Sequence, residues 1–235
     1  MNRNRGLFLL AVAVAWMLAD ERILASAALD QQTPIDPVTF GFAVQGGGGR
    51  GQTFTVGRSG IFERLELQVW RAGRPYFYNL DIELRTTLPT GVPNLGADGL
   101  LASLTLTPSM TPASSSPVSA FTGLDLGNQA FPVTIGQMLA IVLNNDAPSS
   151  DNWYLWATAS SGSGSTYDGG QSWAMLSSTE AVAQPIYDHG FRTYVGVPEP
   201  VGSTAMLIAI AWALETARRS SGAPTTLNRE INGDK

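Results

Sequence analysis

Cysteine is absent from this 235-residue chain, so no disulfide framework, thiol nucleophile or zinc–thiolate site can be built. Histidine occurs once, as His189, and lysine once, as Lys235. Charge is sparse: Asp, Glu, Lys and Arg make up 14% of the residues, against 44% hydrophobic residues. That balance favours a folded core over disorder. Between Ala28 and Gly196 seven arginines stand against thirteen acids, a net of about −6 (7 − 13). An acidic body of this kind argues against a nucleic-acid partner, which needs a basic face to neutralise phosphates. It also argues against docking on anionic lipid. No stretch of the body has a 3.6-residue apolar period, and no internal repeat survives inspection.

What the body has is a period of two, the strand period. Leu65, Leu67 and Val69 alternate with Glu66, Gln68 and Trp70. Leu80, Ile82 and Leu84 alternate with Asp81, Glu83 and Arg85. Each pattern puts apolar residues on one face, as an antiparallel sheet with one solvated side requires. Further strands are predicted at Gln52–Val56, Leu100–Leu106, Met138–Asn144, Trp153–Ala159, Trp173–Leu176 and Gly190–Val195. The 25 glycines and 14 prolines punctuate them in turn-rich segments. The nearly all-glycine Gln45–Gly51 predicts a flexible hairpin or loop, and the Ser/Thr/Pro-rich Pro108–Val118 a long surface loop open to O-glycosylation. Many short strands with such punctuation predict an all-β antiparallel sandwich, most simply a jelly roll.

Both ends read as address labels. Arg3 and Arg5, the apolar run Leu7–Ala19 and Ala25-Ser26-Ala27 have the plan of a secretory signal peptide cleaved after Ala27. Asp20-Glu21-Arg22 blurs the cut, and the apolar run is shorter than the roughly 20 residues a span prefers. At the other end, Val197-Pro198-Glu199-Pro200 precedes an apolar stretch from Val201 to Ala217 and the pair Arg218-Arg219. Seventeen helical residues reach roughly 25 Å, the lower end of what crosses a hydrocarbon core. The arginine pair would hold that end on the cytoplasmic side. An amphipathic or buried C-terminal helix is the alternative, but Met206, Leu207, Ile208, Ile210, Trp212 and Leu214 surround the helix instead of forming one stripe. The expected organisation is residues 1–27 as signal peptide, 28–196 as the sandwich, 197–219 as a sorting signal with a transmembrane helix, and 220–235 as a polar tail.

The ordered trio of Pro-Glu-Pro, apolar helix and arginine pair resembles a PEP-CTERM sorting signal, over about 23 residues. The resemblance implies export by bacteria that make exopolysaccharide and cleavage near Val197–Pro200 by an exosortase, a membrane-embedded processing enzyme. Such signals usually stop soon after the basic cluster, whereas Ser220–Lys235 continues here. The body carries a softer resemblance in Gln52-Thr53-Phe54, Gly91-Val92-Pro93, Val133-x-x-Gly136 leading into Leu139–Leu143, Tyr167-Asp168-Gly169-Gly170 with Trp173, and Phe191-Arg192-Thr193-Tyr194. In this order they resemble the choice-of-anchor β-sandwich modules found ahead of bacterial surface-sorting signals. That implies a fold more than an activity.

Candidate chemical sites are few. A hydrolase triad would need His189 beside a serine and an acid, but Asp188 is its chain neighbour, and adjacent strand residues face opposite ways. No serine sits in a G-x-S-x-G elbow, so a structural histidine is the expectation. Glycoside hydrolysis needs two carboxylates across a cleft, roughly 5 to 9.5 Å apart. Glu63, Glu66, Asp81 and Glu83 are the densest acids, and Asp81 and Glu83 share a face, which the alternation makes the solvated one. Asn144, Asn145, Asp146, Asp151 and Asn152 place hard oxygens in a short loop, which makes calcium the one candidate cofactor; turn-forming Asn and Asp explain the same letters without metal. Exposed rings stack on sugars, so Trp70, on the polar face of its strand, and Trp153, Trp156 and Trp173 form a candidate glycan platform, with core packing as the competing role. Trp153 and Trp156 fall on opposite faces of one strand, so they cannot both be core of a one-sided sheet. The expectation is a non-enzymatic, exported and membrane-tethered surface or matrix protein. Its expected partners are the processing enzyme, the membrane and an extracellular polysaccharide.

Overall fold

Alternation such as that of Leu80, Ile82 and Leu84 pairs strands only if a second layer covers the apolar face, and the chain supplies one. The computed structural model describes residues 27–72, 78–145, 153–160 and 167–197. Fifteen strands run in order: β1 (Ala28–Thr33), β2 (Phe40–Val44), β3 (Gly49–Thr55), β4 (Gly60–Leu67), β5 (Val69–Arg71), β6 (Leu80–Thr86), β7 (Leu100–Leu106) and β8 (Thr122–Asp125). Then come β9 (Phe131–Val133), β10 (Met138–Asn144), β11 (Tyr154–Ser160), β12 (Ser172–Met175), β13 (Ala181–Gln184), β14 (Tyr187–His189) and β15 (Phe191–Gly196). Three short 3-10 turns are the only helical elements among the described residues. The predicted helices at residues 1–26 and 201–217 lie outside the described residues.

The strands form three antiparallel sheets: β1-β15-β4-β8 with β9 also on β4, β13-β12-β3-β10-β6-β7, and β14-β11-β2 with β5 also on β11. Two chain segments run through both smaller sheets. β4 and β5 are separated only by Gln68, and β14 and β15 only by Gly190. At this seam three backbones close a ring of hydrogen bonds: Gln68 N–H to Gly190 O (3.1 Å), Gly190 N–H to Ala157 O (2.9 Å) and Ala157 N–H to Gln68 O (2.9 Å). The five- and four-stranded sheets are thus one bent layer, and the six-stranded sheet is the other.

One core unites them. Phe54, Leu80, Ile82, Leu84, Leu139 and Ile141 of the large sheet pack in a single cluster with Phe62, Leu65, Leu67, Phe191, Tyr154 and Trp156 of the bent layer. Phe54 lies 5.6 Å from Phe191 and 6.1 Å from Phe62, centroid to centroid. Each fully buried Leu, Ile or Phe contributes about 1.5–3 kcal/mol, which is what holds the layers together. β10 departs from alternation. Leu139, Ile141 and Leu143 face this core, while Ala140 and Val142 are covered from outside by Trp173 and Met175. Buried on both faces, it reads in sequence as a continuous apolar run.

Three readings of the sequence need correcting here. Leu65, Leu67 and Val69 do not lie on one strand, because Gln68 breaks it. Trp70 does not look into solvent: at 2% exposure it packs with Ile35, Ala157 and Ala159 under the segment 35–38. Gly49 and Gly51, expected in a loose loop, are strand residues of β3, and the tight turn is confined to Gln45–Gly48, closed by Gly48 N–H to Gln45 O at 2.9 Å.

Candidate functional site

Two groups of polar side chains stand out, one sealed and one open. The sealed group centres on His189, which is fully buried. Its ring stacks on Trp156 at 4.3 Å and 12°. Nδ1 lies 2.9 Å from Thr158 Oγ1 and Nε2 lies 2.9 Å from Ser172 Oγ. Because the Thr158 hydroxyl already donates to Trp156 O (2.8 Å), its oxygen accepts from Nδ1–H, and Nε2 accepts from Ser172. This assigns the neutral Nδ1–H tautomer from the network. Burial, with the nearby charge of Arg50 adding to it, lowers the imidazole to about 3.

The acid beside it points elsewhere. Asp188 accepts from Gln52 Nε2 at 3.1 Å and from the Tyr167 backbone N–H at 2.7 Å, and burial raises its carboxyl. Gln52 in turn accepts from the His189 backbone N–H at 2.9 Å. A serine and a histidine in hydrogen-bond contact would begin a nucleophilic site. Here Nδ1 is held by threonine instead of a carboxylate, Ser172 and His189 are each 0% exposed, and the imidazole is too weak a base near neutral pH. What the arrangement does is join layers: Gln52 and Ser172 belong to the large sheet, His189 and Thr158 to the bent one.

The open group is a cleft of about 390 Å³ on the outer face of the large sheet. Its floor is built by register. Asn144 lies opposite Asp81, and Val142 opposite Glu83. Met175 leans over Gly49 and Gly51 of β3, and Gln45 with the Gly47–Gly48 turn forms one rim. Gly47 has φ of 77°, a left-handed value that suits glycine in so tight a turn. A side chain at Gly49 would collide with Asn144 Oδ1 and lie 2.8 Å from Leu143 O, so glycine there keeps the floor flat. Glu83 is held by Arg85 at 2.7 Å, and Arg85 also donates to the carbonyls of Asn94 (3.0 Å) and Gly96 (2.9 Å). Thr105 Oγ1 donates to Asp81 Oδ1 at 3.3 Å.

Asp81 and Glu83 are therefore brought together as neighbours on one strand, about 6.6 Å apart along a single wall. A glycosidase needs its carboxylates on opposite sides of the bond. The cleft offers acceptors and donors to a polar ligand, with Leu95, Val142 and Met175 as an apolar floor.

The remaining predicted residues scatter. Trp156 (0%), Trp70 (2%) and Trp173 (4%) are buried in three different clusters, and Trp153 alone is exposed, at 40%. The four do not share a surface, because Trp156 fills the core between the layers, Trp70 covers Ala157 and Ala159 of β11, and Trp173 covers Ala140 and Val142 of β10. Of the calcium candidates, Asn144 lines the cleft and Asn145 is buried, while Asp146 and Asp151 lie outside the described residues. Among the described residues no three His, Asp or Glu side chains cluster as a metal site would. Val197 is exposed; Pro198, Glu199, Pro200, Arg218 and Arg219 lie outside the described residues. Sequence reasoning missed Gln52, Thr158 and Ser172. The available signal was Gln52 on the same strand face as Phe54, a polar residue at a core position. No protein-family model, no characterised protein and no solved structure matches this chain.

Proposed function

We propose that this protein is an exported, non-catalytic β-sandwich module, tethered by its C-terminal helix and processed there, that serves at the cell surface or in the extracellular matrix. The observation that supports this best is a pairing. Ala28, the first residue after the predicted signal cleavage, lies opposite Val195, two residues before Val197. Both predicted cleavage points therefore flank one end of one sheet, and cutting both removes no residue from the strand ladder. A jelly-roll-like winding fits the way the chain alternates between layers, from β3 to β4, β5 to β6 and β9 to β10. Val197, the last described residue, is exposed and follows directly on β15, which is compatible with processing at the segment that begins there.

Fractionation tests the tether. Cells expressing the chain without residues 201–217 should lose membrane association of the precursor. Unchanged association would sink the anchor. N-terminal sequencing of the exported protein should begin at Ala28.

The cleft favours a second reading, recognition of a neutral glycan through Asp81 and Asn144, whose side chains can engage neighbouring hydroxyls over the apolar floor. Glycan-array binding by the folded protein should vanish on Asp81→Ala with Asn144→Ala. Binding that persists in that double variant rules the cleft out.

A further inference from the structure

Arginines in an acidic protein find carboxylates easily, and most of the described ones do. Arg58 pairs with Asp30, Arg64 with Glu66 and Asp125, Arg85 with Glu83, and Arg192 with Glu66. Arg71 donates to the Thr111 carbonyl at 3.2 Å. Arg50 is different. Its guanidinium lies 5.0 Å over the Phe42 ring, its Nε is buried without a hydrogen-bond partner, and it has no ion pair among the described residues. Burial without a compensating anion pulls its pKa down, yet an arginine stays charged near neutral pH.

A second orphan lies close by. Gln184 Oε1 is also buried and unpartnered. The register puts both on the inner face of the large sheet. Arg50 is opposite Ala174, and Ala174 is opposite Val182; one row along, Gln52 is opposite Ser172, and Ser172 is opposite Gln184. Directly opposed residues share a face, and Ser172 points inward to His189. Arg50 and Gln184 thus sit two strand spacings apart, roughly 10 Å across the strands, and one inward row apart, roughly 7 Å along them.

An aromatic wall adjoins both: Arg50 stands over Phe42, and Tyr187 follows Gln184 across the two-residue turn Pro185–Ile186. Phe42 and Tyr187 meet edge to face at 4.7 Å, and Phe40 joins them at 5.9 Å and 6.4 Å. These rings are partly exposed. The rim beyond is open, since Val182 and Ile186 are 45% and 53% exposed. A buried donor or acceptor left unpaired is costly to the fold. An unpaired cation asks for an anion, an unpaired amide oxygen asks for a hydroxyl or N–H, and an aromatic wall asks for a flat apolar face.

We propose that Arg50, Gln184, Phe42 and Tyr187 form a binding site for a sugar acid in its ring form. The carboxylate sits on the Arg50 guanidinium, a hydroxyl donates to Gln184 Oε1, and the ring lies against Tyr187 and Phe42. This site is on the opposite face of β3 from the cleft, and it depends neither on the cleft nor on the export reading.

The test is calorimetric titration of the full chain in nonionic detergent with D-glucuronate, D-glucose and acetate. Glucuronate should bind, with glucose and acetate each at least about tenfold weaker. Arg50→Gln should weaken glucuronate by about 10–100-fold, the worth of a charge-assisted hydrogen bond. Gln184→Leu should weaken it by about fivefold, within the range of one neutral hydrogen bond. Arg58→Gln, remote from the site, should leave it unchanged. Gln184 lies on an edge strand, so its variant keeps the test decisive if Arg50→Gln does not fold. Equal binding of glucose or acetate, no glucuronate binding, or undiminished binding in either folded variant each overturns the proposal. Fractionation of the tail deletion is unaffected by any of these outcomes.

Discussion

His189 shows how one residue's surroundings decide its chemistry. With a folded pKa near 3 and an ordinary value of 6.5, the unfolded chain takes up the proton first as pH falls. Stability from this group is therefore fully present above about pH 6.5 and is lost on acidification towards 3. Between about pH 7.5 and about pH 5.5 the loss should be about 1.4 kcal/mol in urea unfolding, and His189→Gln should abolish it. Asp30 and Asp188, both raised by burial, act in the opposite sense, their contribution being lost as pH rises through their folded pKa values. The variant separates the two senses: the pH dependence that His189→Gln removes belongs to the histidine, and what remains belongs to the carboxylates. An NMR titration should show an imidazole that stays neutral at pH 5; a midpoint near 6.5 would contradict its burial. The tryptophans make the same point through packing. Trp156→Ala removes the ring stacked on His189 and the donor to Gly190 O (2.9 Å), and should cost about 3–5 kcal/mol. Trp153→Ala, at an exposed site, should stay within about 0.5 kcal/mol. Thermal unfolding of the two variants measures the contrast.

At the scale of elements, the seam at Gln68 and Gly190 turns two strands from one sheet into another. Gln68 holds a polar position of the alternation but is itself buried, and its side chain explains why the strand breaks there. It accepts from Ile35 N–H at 2.8 Å and donates to Ile35 O at 3.1 Å and Ser119 O at 2.9 Å, so it ties down two crossing segments. Gln68→Leu leaves the amide and the carbonyl of Ile35 without these partners and should cost about 2–4 kcal/mol. Hydrogen exchange at the Ile35 amide should accelerate in the same variant; unchanged protection would show that another group serves Ile35. At Gly190 a Cβ would run into Gln68 Oε1, with Gln68 Cδ at 2.9 Å. Gly190→Ala should therefore destabilise by about 1–3 kcal/mol, as overpacking does, read in the same denaturation assay. The strands β6, β7, β10 and β11 were legible because each is seven residues long, enough for an alternating or continuous apolar pattern to show. The short β8, β9, β13 and β14, of three or four residues, were not, since so few positions carry no period. Glycine in β3 read as a loop because its purpose, room for Asn144 and Met175, belongs to neighbouring strands.

At the scale of the whole molecule, the first and last of the described strands pair with each other, so removing either opens an edge of that sheet. A fragment of residues 28–197 should unfold cooperatively in urea, with a β-type far-UV spectrum. A fragment of residues 34–197 lacks β1, exposes the edge of β15 and removes the Gln31 partner of Tyr167 (2.9 Å). Its urea midpoint should fall, and an unchanged midpoint would show that β1 is dispensable. Strand class, acidic charge and the absence of thiol chemistry were readable from the residues alone, because composition and periodicity are local properties that need no partner. The arrangement in three dimensions was needed to show which tryptophans are core, that His189 is sealed beside Ser172, and that Arg50 has no anion among the described residues. Those facts depend on register across strands 100 or more residues apart in sequence, such as Gln52 and His189, and a one-residue change of register would put every one of these side chains on the other face.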